Sequence, residues 1–488
     1  MLYNMIFKTI VASGLFCAPL VLFPSTEPGQ ASSSYYREHL QSNLDKLIQR
    51  HAGLSHIGIE VASVTSHNTI YEKNGRKLFI PASCLKIFTS AACLTILGPH
   101  YKFSTTLWTD GVIKQKKLMG NLYLKGTGDP SLEIKDLAAI VAQLKALGIE
   151  QITGSVFVDH SAFDDISKGP GWMWDDEPEY WNAPISALTV NHGCIDLWVH
   201  PAEQMNQPAT LVIYPNTSFV QCKNLSQTSA GTQSNLTIGS SVTKEGKWID
   251  VGGYISQKSQ PIMYAVAVDN PQLYAGSVFL ESLKQYSISC KKGVEEKTVP
   301  AEARLLAEHQ SQPLHVLIRK MMKESDNLYA ECFFKTLGKV CSRGKGTWSA
   351  GSDGTKGFLL SKGFNPSQMV VVDGSGLSRY NLITPQQLVD VLVLAWNEDS
   401  LRGPFLDALP IAGVDGTLKK SMDHPELLSR VRAKTGSMKG VRTLSGYLTT
   451  LEGEELAFSI MMNGVIERLG AIELENEICR LLMHYKKE

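Results

Sequence analysis

The chain has 488 residues, 43% of them hydrophobic, enough for two or three packed domains with sizeable cores. Lys+Arg and Asp+Glu each number 47, so the formal net charge is zero and the composition exerts no global pull toward nucleic acid or anionic lipid. Charge blocks are short, which excludes a basic or acidic tail.

In chain order, the N-terminus reads as a secretory signal. Lys8 is the positive head, residues 9–23 are mostly apolar but interrupted by Pro19, and Gly29-Gln30-Ala31 offers small residues for cleavage before Ser32. Residues 1–31 are therefore expected to be removed on export to a periplasm-like space. A retained N-terminal anchor is the alternative, although the segment is short and Pro-broken for a membrane span. Bulky Phe16 before Cys17 disfavours a lipoprotein. Loss of Lys8 and Glu27 together keeps the net charge at zero, and the nine cysteines fall to eight. An exported chain can form disulfides, whose pairing sequence does not reveal. No C-x-x-C occurs, which disfavours a redox motif or a zinc ribbon.

Residues 56–64 and 69–73 read as two strands around a polar turn. Residues 84–97 read as a helix with Leu85, Phe88, Ala92 and Ile96 on one stripe, stopped by Gly98-Pro99. Cys84 and Cys93 fall on opposite faces of it and are read as small buried hydrophobes. From 104 to 294 the character changes to short alternating stretches, such as 120–125 and 155–159, separated by turn clusters such as 126–130. Residues 223–245 read as loop or edge-strand material. This block is read as a β-rich insertion in two nested parts. Helical signals return at 315–324 and 327–337, and Thr384-Pro385-Gln386-Gln387 is a capping box that opens a helix through Trp396. Residues 431–437, 442–450 and 456–462 read as three strands. An amphipathic helix follows, with Ile472, Ile478, Leu481, Leu482 and Tyr485 apolar; it is expected to pack on a sheet rather than lie on a membrane. The expected fold is α/β (α+β): one domain in two parts, 32–103 and 295–488, split by the insertion at 104–294.

Three short motifs stand in order along this frame: Ser83-Cys84-Leu85-Lys86, Ser325-Asp326-Asn327 and Lys434-Thr435-Gly436. They read S-x-x-K, S-D-N and K-T-G, the set of serine enzymes that open D-alanyl peptide or β-lactam amides. None is specific alone: Ser241-Val242-Thr243-Lys244 and Ser66-His67-Asn68 are decoys in the wrong contexts. Three residues of spacing at a helix start puts Ser83 and Lys86 on one face, with the helix N-terminus beside the nucleophile. Lys86 acts as a base only if burial and a second cation, for which Lys434 is the candidate, lower its pKa. Ser325 is placed to relay a proton to the leaving amine, Asn327 to hold the peptide, and Asp326 to brace the loop. Lys434 and Thr435 offer a charge and a hydroxyl to a free carboxylate, and Gly436 leaves room for the substrate backbone. The N–H groups of Ser83 and Ser437 are the expected oxyanion hole. No H-E-x-x-H, G-x-S-x-G, Walker A or dinucleotide glycine pattern competes.

On these motifs the chain resembles the penicillin-binding proteins and serine β-lactamases. It is most similar to the class C low-molecular-mass D-alanyl-D-alanine carboxypeptidases/endopeptidases of the penicillin-binding protein 4 type. Ser83 lies 242 residues before Ser325, too far for a compact β-lactamase but suited to a large insertion. Residues 126–132, 171–176, 183–188 and 373–379 carry further resemblance. It implies a transpeptidase-like domain, cleavage of terminal D-Ala and of D-Ala cross-links in peptidoglycan stem peptides, binding of β-lactam antibiotics, and no metal or other cofactor. It also implies that Asp176, with Asp175 as a substitute, meets the amino end of the stem-peptide side chain. A serine β-lactamase and a non-catalytic wall-binding scaffold are the alternatives.

Overall fold

The computed structural model describes residues 33–51, 53, 55–243 and 246–486. The signal reading at 1–31 and Lys244 of one decoy lie outside them. The frame is a five-stranded antiparallel sheet in the order Val431–Met438, Val441–Thr449, Glu455–Asn463, His56–Ser63, Thr69–Lys73. Strands from the two ends of the chain meet at its centre, where His56 pairs with Asn463 and Ser63 with Leu456. The three C-terminal strands and the first two match the sequence reading within two residues.

Both faces of the sheet are covered, and the alternation of side chains along a strand sorts them. Phe458, Ile460 and Met462 face a core shared with the first helix, Ser33–His51, and the last, Arg468–Met483. Ala457 and Met461 face a larger core built by the helices Lys86–Ile96, Leu314–Glu324, Asn327–Ser342 and Pro385–Asn397. The last helix packs on the sheet as expected, and buried Arg442 pairs with Glu475 in it at 2.7 Å. Among the described residues no helix is long and apolar enough to cross a membrane.

The expected 84–97 helix differs in two ways. It begins as a 3-10 turn, Ala82–Leu85, and becomes α-helical at Lys86. Every residue from Lys86 to Leu94 is buried, so the helix has no exposed face and the single apolar stripe understates its burial. Cys84 and Cys93 are both buried, and none of the eight described cysteines forms a disulfide.

The intervening region holds a mixed sheet in the order Val294–Glu296, Val156–Asp159, Leu122–Gly126, Ser104–Thr109, Arg304–Gln310. The antiparallel pairing of Arg304–Gln310 with Ser104–Thr109 carries this region on to Gln310, past residue 294 where the sequence reading ended it. It also contains two helices that reading missed, Ile134–Ala146 and Pro271–Gln285, which share its core. Their signals were present: Leu137, Ile140, Val141 and Leu144 keep helical spacing behind a Glu133/Asp136 capping box, and Pro271 stands at a first helical position. Residues 235–243 form an edge strand paired with 246–256, the second of the two readings of 223–245.

Candidate active site

The site is built where the 3-10 turn meets the edge of the sheet. A 3-10 helix has three residues per turn, so side chains at i and i+3 stand one above the other. Lys86 Nζ accordingly lies 2.9 Å from Ser83 Oγ. Lys86 is fully buried, and its nitrogen also meets Asn327 Oδ1 at 2.7 Å and the Ser375 carbonyl at 2.8 Å. An unprotonated amine has two N–H donors and one lone pair. With Asn327 and Ser375 taking the donors, the lone pair is left for the Ser83 hydroxyl. Burial lowers the Lys86 pKa to about 8, against the opposing pull of Glu331, Asp326 and Asp373. Ala82, just before the nucleophile, sits at φ +46, a strained conformation for a residue with a Cβ.

The turn is stitched to the edge strand. Thr443 Oγ1 donates to the Pro81 carbonyl at 2.8 Å, and Cys84 Sγ donates to the Lys434 carbonyl at 3.1 Å. A side chain at Gly436 would place its Cβ 3.0 Å from Ser83 N and 2.1 Å from Thr443 Oγ1, so only glycine fits. Lys434 Nζ donates to Ser325 Oγ and to the Thr435 carbonyl, both at 2.7 Å. Lys434 is fully buried, and its pKa is driven well below the usual lysine range, first by burial and then by Lys86. Lys434 therefore does not offer an exposed charge to a carboxylate; it stands behind the Ser325 hydroxyl. Thr435 is also buried, and its hydroxyl meets Thr417 Oγ1 at 2.8 Å. Thr417 was not found from sequence, where nothing marked it.

Ala433 N donates outward to the Pro410 carbonyl at 2.9 Å. Alternation along an antiparallel edge strand then turns the N–H groups of Thr435 and Ser437 to that same outer side.

The S-D-N loop joins two helices. Ser325 closes Leu314–Glu324 in the left-handed region, φ 62, at a cost of about 1–2 kcal/mol for a residue with a Cβ. Asp326 caps Asn327–Ser342 by accepting from Tyr329 N at 3.0 Å. It also pairs with His192 at 3.3 Å, and the His192 ring stacks on Tyr329. The Asn327 amide is used at both ends, because Nδ2 donates to the Trp181 carbonyl at 2.9 Å. It positions Lys86 here, and holding a peptide would require exchange of the Trp181 contact. His192 and Trp181 belong to the intervening region, and sequence reading singled out neither.

Asp176 ends a short 3-10 turn, Trp174–Asp176. Burial and then Asp175 raise its pKa, against Arg379. Nearby, Trp172 Nε1 is anchored on Asp373 at 3.1 Å, while Trp174 is 85% exposed. Of the decoys, Ser66-His67-Asn68 lies in the turn between two strands, and Ser241 lies in Asn235–Thr243. Among the described residues no cluster of His, Cys, Asp and Glu is arranged to hold a metal ion.

Residues 40–485 match the D-Ala-D-Ala carboxypeptidase 3 (S13) family. The chain is 32% identical over 431 residues to D-alanyl-D-alanine carboxypeptidase DacB of Haemophilus influenzae, covering 86% of this chain and 88% of that one. It is 34% identical over 463 residues to the D-alanyl-D-alanine carboxypeptidase of an Actinomadura species, covering 91% and 85%. Its fold superposes on the crystal structure of penicillin binding protein 4 (dacB) from H. influenzae with a TM-score of 0.82 at 30% identity, over 91% of this chain and 100% of that one.

If Ser83 attacks with Lys86 as its base, the rate should rise with pH as the proton leaves Lys86. The rate of covalent labelling by a fluorescent penicillin, measured against pH, should show an ascending limb near pH 8. A limb at the ordinary lysine value, or none, would contradict this assignment.

Proposed function

The chain belongs to the D-Ala-D-Ala carboxypeptidase 3 (S13) family, and on that premise we propose that Ser83 opens the terminal D-alanyl-D-alanine bond of peptidoglycan stem peptides through an acyl-enzyme. The protein is a serine-type D-alanyl-D-alanine carboxypeptidase with a transpeptidase-like α/β fold. The observation that carries the residue assignment is the 2.9 Å contact between Ser83 Oγ and a buried lysine whose pKa lies at about 8.

In this reading Lys86 takes the Ser83 proton as Oγ attacks the carbonyl carbon. The N–H groups of Ser83 and Ser437 hold the developing oxyanion, where one such donor is typically worth roughly 10²–10³ in rate. Ser325, fed by Lys434, passes a proton to the departing D-Ala nitrogen. Thr435, whose hydroxyl now meets Thr417, is assigned to the substrate carboxylate, and the space beside Gly436 to the substrate backbone. Acylation leaves Lys86 with the Ser83 proton and Lys434 one proton short, so Lys86 returns that proton to Lys434. Water then enters where D-Ala left, and neutral Lys86 takes a proton from it as its oxygen attacks the acyl carbon and gives that proton to the departing Ser83 Oγ. A cross-link ending in D-Ala presents the same bond, so endopeptidase cleavage follows by the same steps. A β-lactam ring enters as an acylating analogue of that amide. The β-lactamase and scaffold alternatives gain no observation of their own.

Three outcomes test this. Ser83→Ala should abolish covalent labelling by a fluorescent penicillin while the protein keeps its melting transition; label mapped to another serine would overturn the assignment.

Asp176 is proposed to select stem peptides whose third residue carries a free amine. At a half-exposed position such a pair contributes about 1 kcal/mol, roughly 5-fold in specificity. Asp176→Asn, Asp175→Asn and the double variant should be compared on peptides with that amine free or acetylated. A preference that survives the double change would show that this segment does not read the substrate.

The enzyme is also proposed to work outside the cytoplasmic membrane, in the periplasm, and to be soluble or loosely attached. Cell fractionation should release it in a salt wash; recovery only in detergent would instead indicate a retained anchor.

A further inference from the structure

Beneath the site lies the loop that supplies the Ser375 carbonyl to Lys86. Residues 373–378 pass between the helix Asn327–Ser342 and the nucleophile turn, and Asp373, Ser375 and Ser378 are fully buried. Two buried carboxylates hold it. Glu331 accepts from Gly374 N at 3.0 Å, from Ser375 N at 2.8 Å and from Trp348 Nε1 at 2.8 Å. Asp373 accepts from Gly376 N at 2.9 Å, Ser378 N at 2.6 Å and Asn381 Nδ2 at 2.7 Å. The Gly374 carbonyl takes the hydroxyl of Thr89, in the S-x-x-K helix, at 2.6 Å. Gly376 backs onto the strained residue before the nucleophile: a Cβ there would stand 1.8 Å from the Ala82 carbonyl, and its φ is +81.

The carbonyl of Ser375 is one of the two acceptors that orient Lys86, and the N–H of that same residue is held by Glu331. We propose that Glu331, supported by Asp373, is a positioning residue for Lys86: its carboxylate fixes the Ser375 carbonyl and supplies the buried negative charge beside the lysine pair.

Glu331 is fully buried and its contacts are all N–H donors, an arrangement that satisfies the ionised carboxylate. Burial and Asp373 nevertheless push its pKa up to about 7, so it holds its charge less firmly than a surface glutamate. Glu331 is the strongest of the groups opposing the loss of the Lys86 proton, ahead of Asp326, Asp373 and Cys84. The lysine pair's repulsion is felt at Lys434, whose pKa Lys86 lowers, and the charges of Lys335 and Glu331 act on each other. Removing the Glu331 charge therefore makes Lys86 release its proton at lower pH.

The inference rests on Lys86 acting as the base, which the ascending limb of the unaltered enzyme tests separately. The experiment is the pH dependence of fluorescent-penicillin labelling in the full chain, with the melting temperature recorded, for E331Q, E331D and D373N. E331Q should move the ascending limb about one pH unit lower and reduce the plateau roughly 10-fold as Ser375 loses its hold. E331D keeps the charge on a shorter stem, so its limb should stay while its plateau falls. D373N should move the limb in the same direction as E331Q, by less. A merely structural role would lower the plateau without moving any limb. That result, or a limb displaced equally by E331D and E331Q, would overturn the proposal. Should E331Q not fold, E331D and D373N decide it: a D373N limb at its original pH overturns the charge role, and an E331D plateau at full height overturns the positioning role.

Discussion

A buried lysine nitrogen that meets three oxygens from three separate stretches of chain is the constraint on which the site depends. Lys86 Nζ meets Ser83 Oγ, Asn327 Oδ1 and the Ser375 carbonyl. Leaving a cation unpaired in an apolar interior costs several kcal/mol, so a lysine here is either solvated by the protein or neutral. The structure does some of both: it supplies three acceptors and no directly bonded carboxylate, and the pKa settles at about 8. A base that keeps its proton affinity close to neutrality, with its donors already committed, is ready to take a proton from the one hydroxyl left.

The surrounding architecture maintains that arrangement. The central pairing of His56–Ser63 with Glu455–Asn463 joins the chain ends, and the edge strand Val431–Met438 then lies beside the 3-10 turn that carries Ser83. The intervening region does more than lengthen the chain. Its Trp181 carbonyl takes the free end of the Asn327 amide, its His192 pairs with Asp326, and its Trp172 anchors on Asp373. Each of these contacts reaches a partner of Lys86, Asn327, or a residue within two positions of one in the chain, Asp326 or Asp373. Strained positions sit where these contacts converge, at Ala82 and Ser325, both with positive φ. Such conformations persist when the surroundings over-determine them.

Much of this was legible in the linear sequence. The central strands follow from period-2 alternation, and the Thr384 capping box is present as both of its reciprocal bonds. The helices Ile134–Ala146 and Pro271–Gln285 had adequate signals, but the short strands around them dominated the reading of that block. The start of the S-x-x-K helix as a 3-10 turn was not legible, because its first residues carry no cap signature and the geometry is set by what packs on Pro81 and Ala82.

The sequence by itself singled out the groups to which the chemistry is assigned. Ser83, Lys86, Ser325, Asn327 and Lys434 are separated by spacings that are either local, and so governed by helix geometry, or recognisable as motifs. Only the tertiary structure decided what those groups face. That Lys434 stands behind Ser325 rather than in the open, that both ends of Asn327 are engaged, and that Glu331 holds the loop accepting from Lys86 are all outcomes of burial. Burial and hydrogen-bond partners depend on residues hundreds of positions away. They set the pKa of a lysine far more strongly than its neighbours in the chain do.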